Sequence, residues 1–144
     1  MCISALLNDF RMKFKNHGTF DLAQGESILA AVKGKVPDEY GIYVISSITP
    51  SKIVYFGKAG TVANNGQMKE QGLLKRLTNK QGKVSRVKFF KMQIEEKYPS
   101  GLHFEWFVTF DGHSNSVLPV LAEAQLLQAY FSEHGGLPDM NASA

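Results

Sequence analysis

Residues Tyr40 to Lys58, YGIYVISSITPSKIVYFGK, constrain the fold of this chain more than any other stretch. Two runs rich in β-branched and aromatic residues, Tyr40 to Ser46 and Ile53 to Gly57, flank a Ser/Thr/Pro/Ser/Lys segment that can continue neither. That is the pattern of a β-hairpin. Symmetry about Thr49 places Tyr43 directly opposite Tyr55, so that two phenols project side by side from one face. Gly41 and Gly57 share that face and carry no side chains, which predicts open space around the phenols. Ile42, Val44, Val54 and Phe56 form the other, apolar face, which a helix has to cover.

The remaining chain supplies such helices. Ile3, Leu6, Leu7, Phe10 and Phe14 recur at helical spacing over residues 1 to about 16, and the pattern stops at His17-Gly18. A short second helix runs from about Glu26 to Val32, and Pro37 prevents its continuation. The first 38 residues thus read as a helical arm that packs on a sheet. After Gly57 comes a long loop, Ala59 to Gly72, rich in Gly and Asn; loops of that length are usually functional or disordered. Helical spacing resumes at Leu73, Leu74 and Leu77, and a further helix spans Arg86 to Tyr98. Leu102 to Phe110 alternates strictly, with Phe104, Trp106, Val108 and Phe110 on one face and His103, Glu105, Phe107 and Thr109 on the other, and predicts a strand. Val117 to about His134 predicts the longest helix, with Pro119 in its first turn and Gly135-Gly136 as its stop.

At 144 residues the chain fits one domain with its own core. No apolar run approaches the roughly 18 residues that a membrane span needs. The N-terminus lacks the basic lead-in of a secretory signal, and the single cysteine, Cys2, has no internal partner. A reducing, cytoplasmic setting without membrane contact is the expectation. The net charge of +3 is unevenly placed: Gln67 to Lys97 holds nine Lys/Arg against three acids, a net +6, leaving −3 elsewhere. A one-sided basic segment is either a solvated face or the footprint of a polyphosphate partner such as DNA. On the second reading Lys69, Lys75, Lys80, Lys83, Arg86 and Lys88 are the contacts.

Glu123 stands in the last helix in line with Leu126, Leu127 and Tyr130, so it points with the apolar stripe. A carboxylate there is costly unless it pairs with a Lys or Arg, sits at the stripe's edge, or binds a cation. Arg76 flanks the Leu73, Leu74, Leu77 face and reaches toward the hairpin, with Lys75 beside it as a competing assignment. Other chemistries find no support. Lys58 is followed by Ala59 where a phosphate-binding loop needs Ser or Thr. No Pro-Cys-x-x-Cys accompanies His103-Phe104-Glu105, the four histidines lack zinc-ligand spacing, and no nucleophile elbow is present.

Gly41-Ile42-Tyr43, followed after eleven residues by Tyr55-Phe56-Gly57 and Lys58, resembles the paired signature of the GIY-YIG nuclease superfamily. That superfamily includes the incision domain of bacterial excision repair, homing endonucleases and some restriction enzymes. The resemblance runs from about Tyr40 to Asn141 and implies an α+β fold: a small central antiparallel sheet of three strands, flanked by helices and preceded here by the N-terminal arm. It implies a DNA endonuclease dependent on Mg²⁺ (or Mn²⁺) that cuts one strand per active site, so a double-strand cut needs a dimer or two visits. By the same resemblance Glu123, in AEAQLL, is the single carboxylate metal ligand, and Arg76 clamps phosphate oxygens. Tyr43 accepts a proton from the attacking water, Tyr55 orients that water, and Lys58 lowers the cost of ionising a phenol. Asn141, in LPDMN, supports backbone by hydrogen bonding. Gly57 and Arg76 are further apart than in shorter members, which marks residues 59–72 as an insertion. A nucleic-acid-binding module that keeps the fold without cutting is the alternative, and a protein-interaction domain is a third.

Overall fold

The computed structural model describes residues 1–81 and 84–144. The chain forms, in order, α1 (Ile3–Lys13), β1 (His17–Leu22), α2 (Ile28–Val32), β2 (Tyr40–Ser47), β3 (Lys52–Ala59), β4 (Thr61–Val62), β5 (Met68–Lys69), α3 (Leu73–Thr78), β6 (Lys80–Gln81), β7 (Val84–Ser85), α4 (Arg86–Glu96), β8 (Leu102–Phe110) and α5 (Pro119–His134). A mixed α/β architecture follows, with a four-stranded antiparallel sheet in the order β1-β8-β2-β3. Among the described residues no helix is long and apolar enough to cross a membrane.

The expected three strands are four, because His17 to Leu22 is a strand and not merely the stop of the first helix. It lies antiparallel on β8, with His17 opposite Phe107 and Leu22 opposite Leu102. Only Phe20 and Leu22 of this edge strand turn inward, too few for a clear alternating pattern. Gly18 is required by close packing: a Cβ there would stand 2.7 Å from Cζ2 of Trp106.

Both faces of the sheet are covered. Ile42, Val44, Phe56 and Phe107 pack with Leu7, Phe10 and Phe14 of the α1 region and with Ala122, Leu126 and Tyr130 of α5. Tyr43, Ile45, Phe104, Trp106 and Val108 pack with α2, α3 and α4 through Ile28, Val32, Leu73, Leu77, Phe90 and Ile94. With apolar surface on both sides, β2 is buried along nearly its whole length. The phenol face is therefore not open, contrary to the expectation from Gly41 and Gly57.

The glycines serve close packing instead. A Cβ on Gly41 would lie 1.9 Å from the carbonyl oxygen of Phe107, and one on Gly57 would lie 2.3 Å from Cζ of Tyr43. Tyr43 fills the space above Gly57. The hairpin register differs accordingly from symmetry about Thr49: Tyr43 faces Gly57, and Tyr55 faces Ile45. Val54 is an extra residue in β3, since pairing passes from Ile45–Tyr55 to Ser46–Ile53. Such a bulge sets two consecutive side chains toward one side, which explains why Val54 joins the Tyr43 core and Ile53 the other. Both tyrosines still share a face because the slip amounts to two positions.

Residues 59–72, expected as a loop, contain the small hairpin of β4 and β5, closed by Ala63 N–H to Gln67 O at 2.7 Å. The strand over Leu102–Phe110 and the helix ending at His134 lie where alternation and the Gly135 stop place them, Gly135 adopting the left-handed conformation (φ 74°).

Candidate active site

The outer edge of β3 carries a cleft of about 470 Å³ lined by Tyr55, Lys58, Gly60, Glu70, Gln71, Arg76 and Glu123. Its position follows from alternation. Tyr55 projects from β3 toward the face covered by α3, which brings Arg76, whereas Lys58 lies nearer the face covered by α5, which brings Glu123. Both helices pack against β3, and Gly60, Glu70 and Gln71 around the β4–β5 insertion complete the lining. Tyr55, Lys58, Arg76 and Glu123 thus meet, although they lie up to 68 positions apart in sequence.

Asn141 stands behind this cleft. Its side-chain oxygen accepts from Phe56 N–H at 2.9 Å, and its amide nitrogen donates to Phe56 O at 3.0 Å. Met140 N–H donates to Val54 O at 2.9 Å. The segment therefore satisfies the free edge of β3 between the residues that line the cleft, where an unpaired edge would otherwise face solvent.

Tyr43 does not line the cleft. It is fully buried, its ring centroid is 5.8 Å from that of Tyr55, and its hydroxyl has no hydrogen-bond partner among the described residues. Tyr55 is the phenol that meets solvent. Burial, with the Tyr43 phenol second, raises its pKa well above the ordinary range, and Arg86 and Arg76 oppose that rise. Tyr55 thus stays protonated at neutral pH and acts as a neutral hydrogen-bonding group. Glu123 is also raised above the ordinary carboxylate value, by burial first, with Lys58 and Arg76 opposing. Arg76 keeps a buried Nε without a partner among the described residues, and its half-buried side chain lines the cleft. Lys75, its sequence neighbour, is exposed and pairs with Asp38 at 3.6 Å, so the arginine is the one that enters the cleft.

The basic segment divides. Lys69, Lys75 and Lys88 are exposed. Lys83 and the side chain of Lys80 lie outside the described residues. Arg86, expected as a surface contact for phosphate, is buried: its guanidinium carbon sits 4.5 Å from the ring centre of Phe89 and 5.0 Å from that of Phe90. Stacking on aromatic faces at i+3 and i+4 offsets part of its desolvation. Its charge acts on Tyr55 from inside.

Among the described residues no group of three or more His, Cys, Asp or Glu side chains lies together. The carboxylates of Glu123 and Glu70 and the amide of Gln71 are oxygen donors on its wall. That set fits a hard cation that keeps most of its water.

No family model, curated protein or solved structure matches the chain. The functional assignment rests on the cleft itself. Glu70 and Gln71 were not anticipated from the sequence, since a carboxylate in a polar loop carries no periodic signal.

Proposed function

We propose that this protein is a GIY-YIG-type endonuclease that hydrolyses DNA phosphodiester bonds with Mg²⁺ or Mn²⁺, one strand per cleft. The observation that carries the reading is the meeting of Tyr55, Lys58, Arg76 and Glu123 on one cleft from β3, α3 and α5. A core-packing role for these residues gives no reason for two cations, a phenol and a carboxylate to converge on solvent.

Arg76, through its guanidinium, holds the non-bridging oxygens of the phosphate and offsets charge gained on the way to the transition state. Lys58 adds a second positive charge. Tyr55, kept neutral, donates to or orients the attacking water, and the Tyr43 phenol behind it fixes its ring. Glu123 would hold the divalent ion, which supplies Lewis-acid neutralisation at the phosphate when bound. Asn141 keeps β3, and with it Tyr55 and Lys58, in place.

The test is incubation with supercoiled plasmid in Mg²⁺, in Mn²⁺ and in chelator, for the wild type and for Glu123→Ala and Arg76→Ala. Nicked circles that precede linear DNA, absent with chelator and in both variants, are expected. Plasmid left intact by the wild type across a range of salt and of both metals refutes the reading. A second reading, a DNA-binding module without cleavage, is favoured by the burial of Tyr43, and it predicts a salt-sensitive shift of duplex DNA with no cleavage product.

A further inference from the structure

Glu70 is the one non-glycine residue with positive φ (71°) among the described residues. Glycine adopts that conformation freely, whereas an L-residue is strained in it. Gly66 and Gly72 stand nearby, so the turn into α3 gives no reason of its own for a glutamate. The side chain gives one. Glu70 Oε2 accepts a hydrogen bond from the Thr61 hydroxyl at 2.9 Å, across the β4–β5 hairpin. The Thr61 oxygen in turn accepts from Lys58 Nζ at 3.5 Å. With its proton committed to Glu70, the hydroxyl presents lone pairs to the ammonium, and such chains strengthen their members.

Lys58, Glu70 and Glu123 line one cleft, yet among the described residues no ion pair joins Lys58 to Glu123. We infer that Glu70 is a positioning residue: through Thr61 it tethers Lys58 away from Glu123 and so leaves the Glu123 carboxylate free for a cation. The inference rests on the cleavage reading for its benefit to catalysis, but the tether itself is a matter of geometry. Cutting the tether lets the ammonium fall onto Glu123, where it competes with the divalent ion.

The experiment compares the wild type with Glu70→Gly, Glu70→Gln, Thr61→Val and Thr61→Ser by plasmid nicking over a range of Mg²⁺ and by crystal structures of the metal-free proteins. Glu70→Gly, which also relieves the backbone, is expected to melt no lower than the wild type. It and Thr61→Val lose about fivefold in kcat/KM at low Mg²⁺, the scale of one partly exposed ion pair, and recover as Mg²⁺ rises. Glu70→Gln and Thr61→Ser keep an acceptor and a hydroxyl and retain most activity. In the Glu70→Gly crystal, Lys58 Nζ moves within ion-pair distance of Glu123. An unmoved Lys58 in that crystal overturns the tether whether or not the wild type cuts DNA. A loss of activity that Mg²⁺ does not restore overturns it as well. Wild-type protein that leaves plasmid intact defeats the nuclease reading alone, because the crystals still decide the tether.

Discussion

Tyr43→Phe removes one oxygen and separates stability from function. The Tyr43 hydroxyl is buried without a well-formed hydrogen bond to any described residue, and the Tyr55 phenol beside it offers only a weak one. Burying a hydroxyl without a partner costs about 1–3 kcal/mol, against which folding gains nothing at this atom. The ring meanwhile packs over Gly57, close enough that a Cβ there would lie 2.3 Å from Cζ and 2.6 Å from the hydroxyl oxygen. Phenylalanine keeps the packing and drops the unpaired oxygen. The expected gain is about 1 kcal/mol, or roughly 3 °C in Tm for a domain of this size. Urea titrations with unchanged slope give the first quantity and calorimetry the second.

Activity moves the other way. On the cleavage reading the Tyr43 hydroxyl acts from behind the cleft, through the Tyr55 phenol beside it, so Tyr43→Phe loses up to roughly tenfold in nicking rate, less than the loss of a group that itself transfers a proton. Tyr55→Phe loses more, because Tyr55 is the phenol that faces the cleft. A drop in stability on Tyr43→Phe refutes the orphan hydroxyl and implies a buried water that bonds it. A gain in stability with full cleavage refutes its functional role. Gly57→Ala serves as the packing control: its methyl forces the ring aside and costs about 1–3 kcal/mol.

Three further outcomes follow from single contacts. Glu123 has a raised pKa in the folded state, so the folded chain holds that proton more tightly than the unfolded chain, and stability falls as pH rises through the raised pKa; Glu123→Gln therefore melts higher than metal-free wild type at pH 8, with the gap closing below about pH 4, and it fails to nick plasmid. Asn141→Ala removes two bonds to Phe56 and lowers stability by about 1–2 kcal/mol, read from urea midpoints, with amide exchange accelerating first along β3. Arg11 holds buried Glu105 through two bonds of 2.7 and 2.8 Å; Arg11→Ala leaves that carboxylate unpaired and costs about 1–3 kcal/mol, whereas plasmid nicking per folded molecule is unchanged.

How much of this was legible in the sequence depended on whether a residue carried a periodic mark. Leu102–Phe110 alternates over nine residues and α5 repeats its stripe over sixteen, so both stand where pattern places them. In β1 the inward side chains are only Phe20 and Leu22, and Gly18 before them reads as a helix stop. The register of β2 on β3 was hidden because Ile53-Val54-Tyr55 is apolar throughout, and nothing in such a run marks Val54 as a bulge. Arg86 had a readable signal, aromatics at i+3 and i+4, that total charge obscured. Glu123 was legible because a lone carboxylate in an apolar stripe is an anomaly. Glu70 was not, since among polar loop residues it is ordinary, and only its φ and its bond to Thr61 distinguish it.

The site is placed by the edge of the sheet. An interior strand has neighbours on both sides and helices over both faces, which leaves no approach for a polymer. Among the described residues the outer side of β3 has no neighbouring strand, and helices from opposite faces pack against it, so Arg76 and Glu123 line one cleft beside it. An exposed edge ordinarily invites pairing with another chain. Here Met140 and Asn141 occupy its backbone groups at Val54 and Phe56, which closes the edge to another strand while leaving Tyr55 and Lys58 accessible. The cleft itself is close to electrically balanced, with Lys58 and Arg76 against Glu70 and Glu123. On the cleavage reading, affinity for a polyanion then comes from the exposed lysines around the cleft, and the inner charges serve orientation and chemistry.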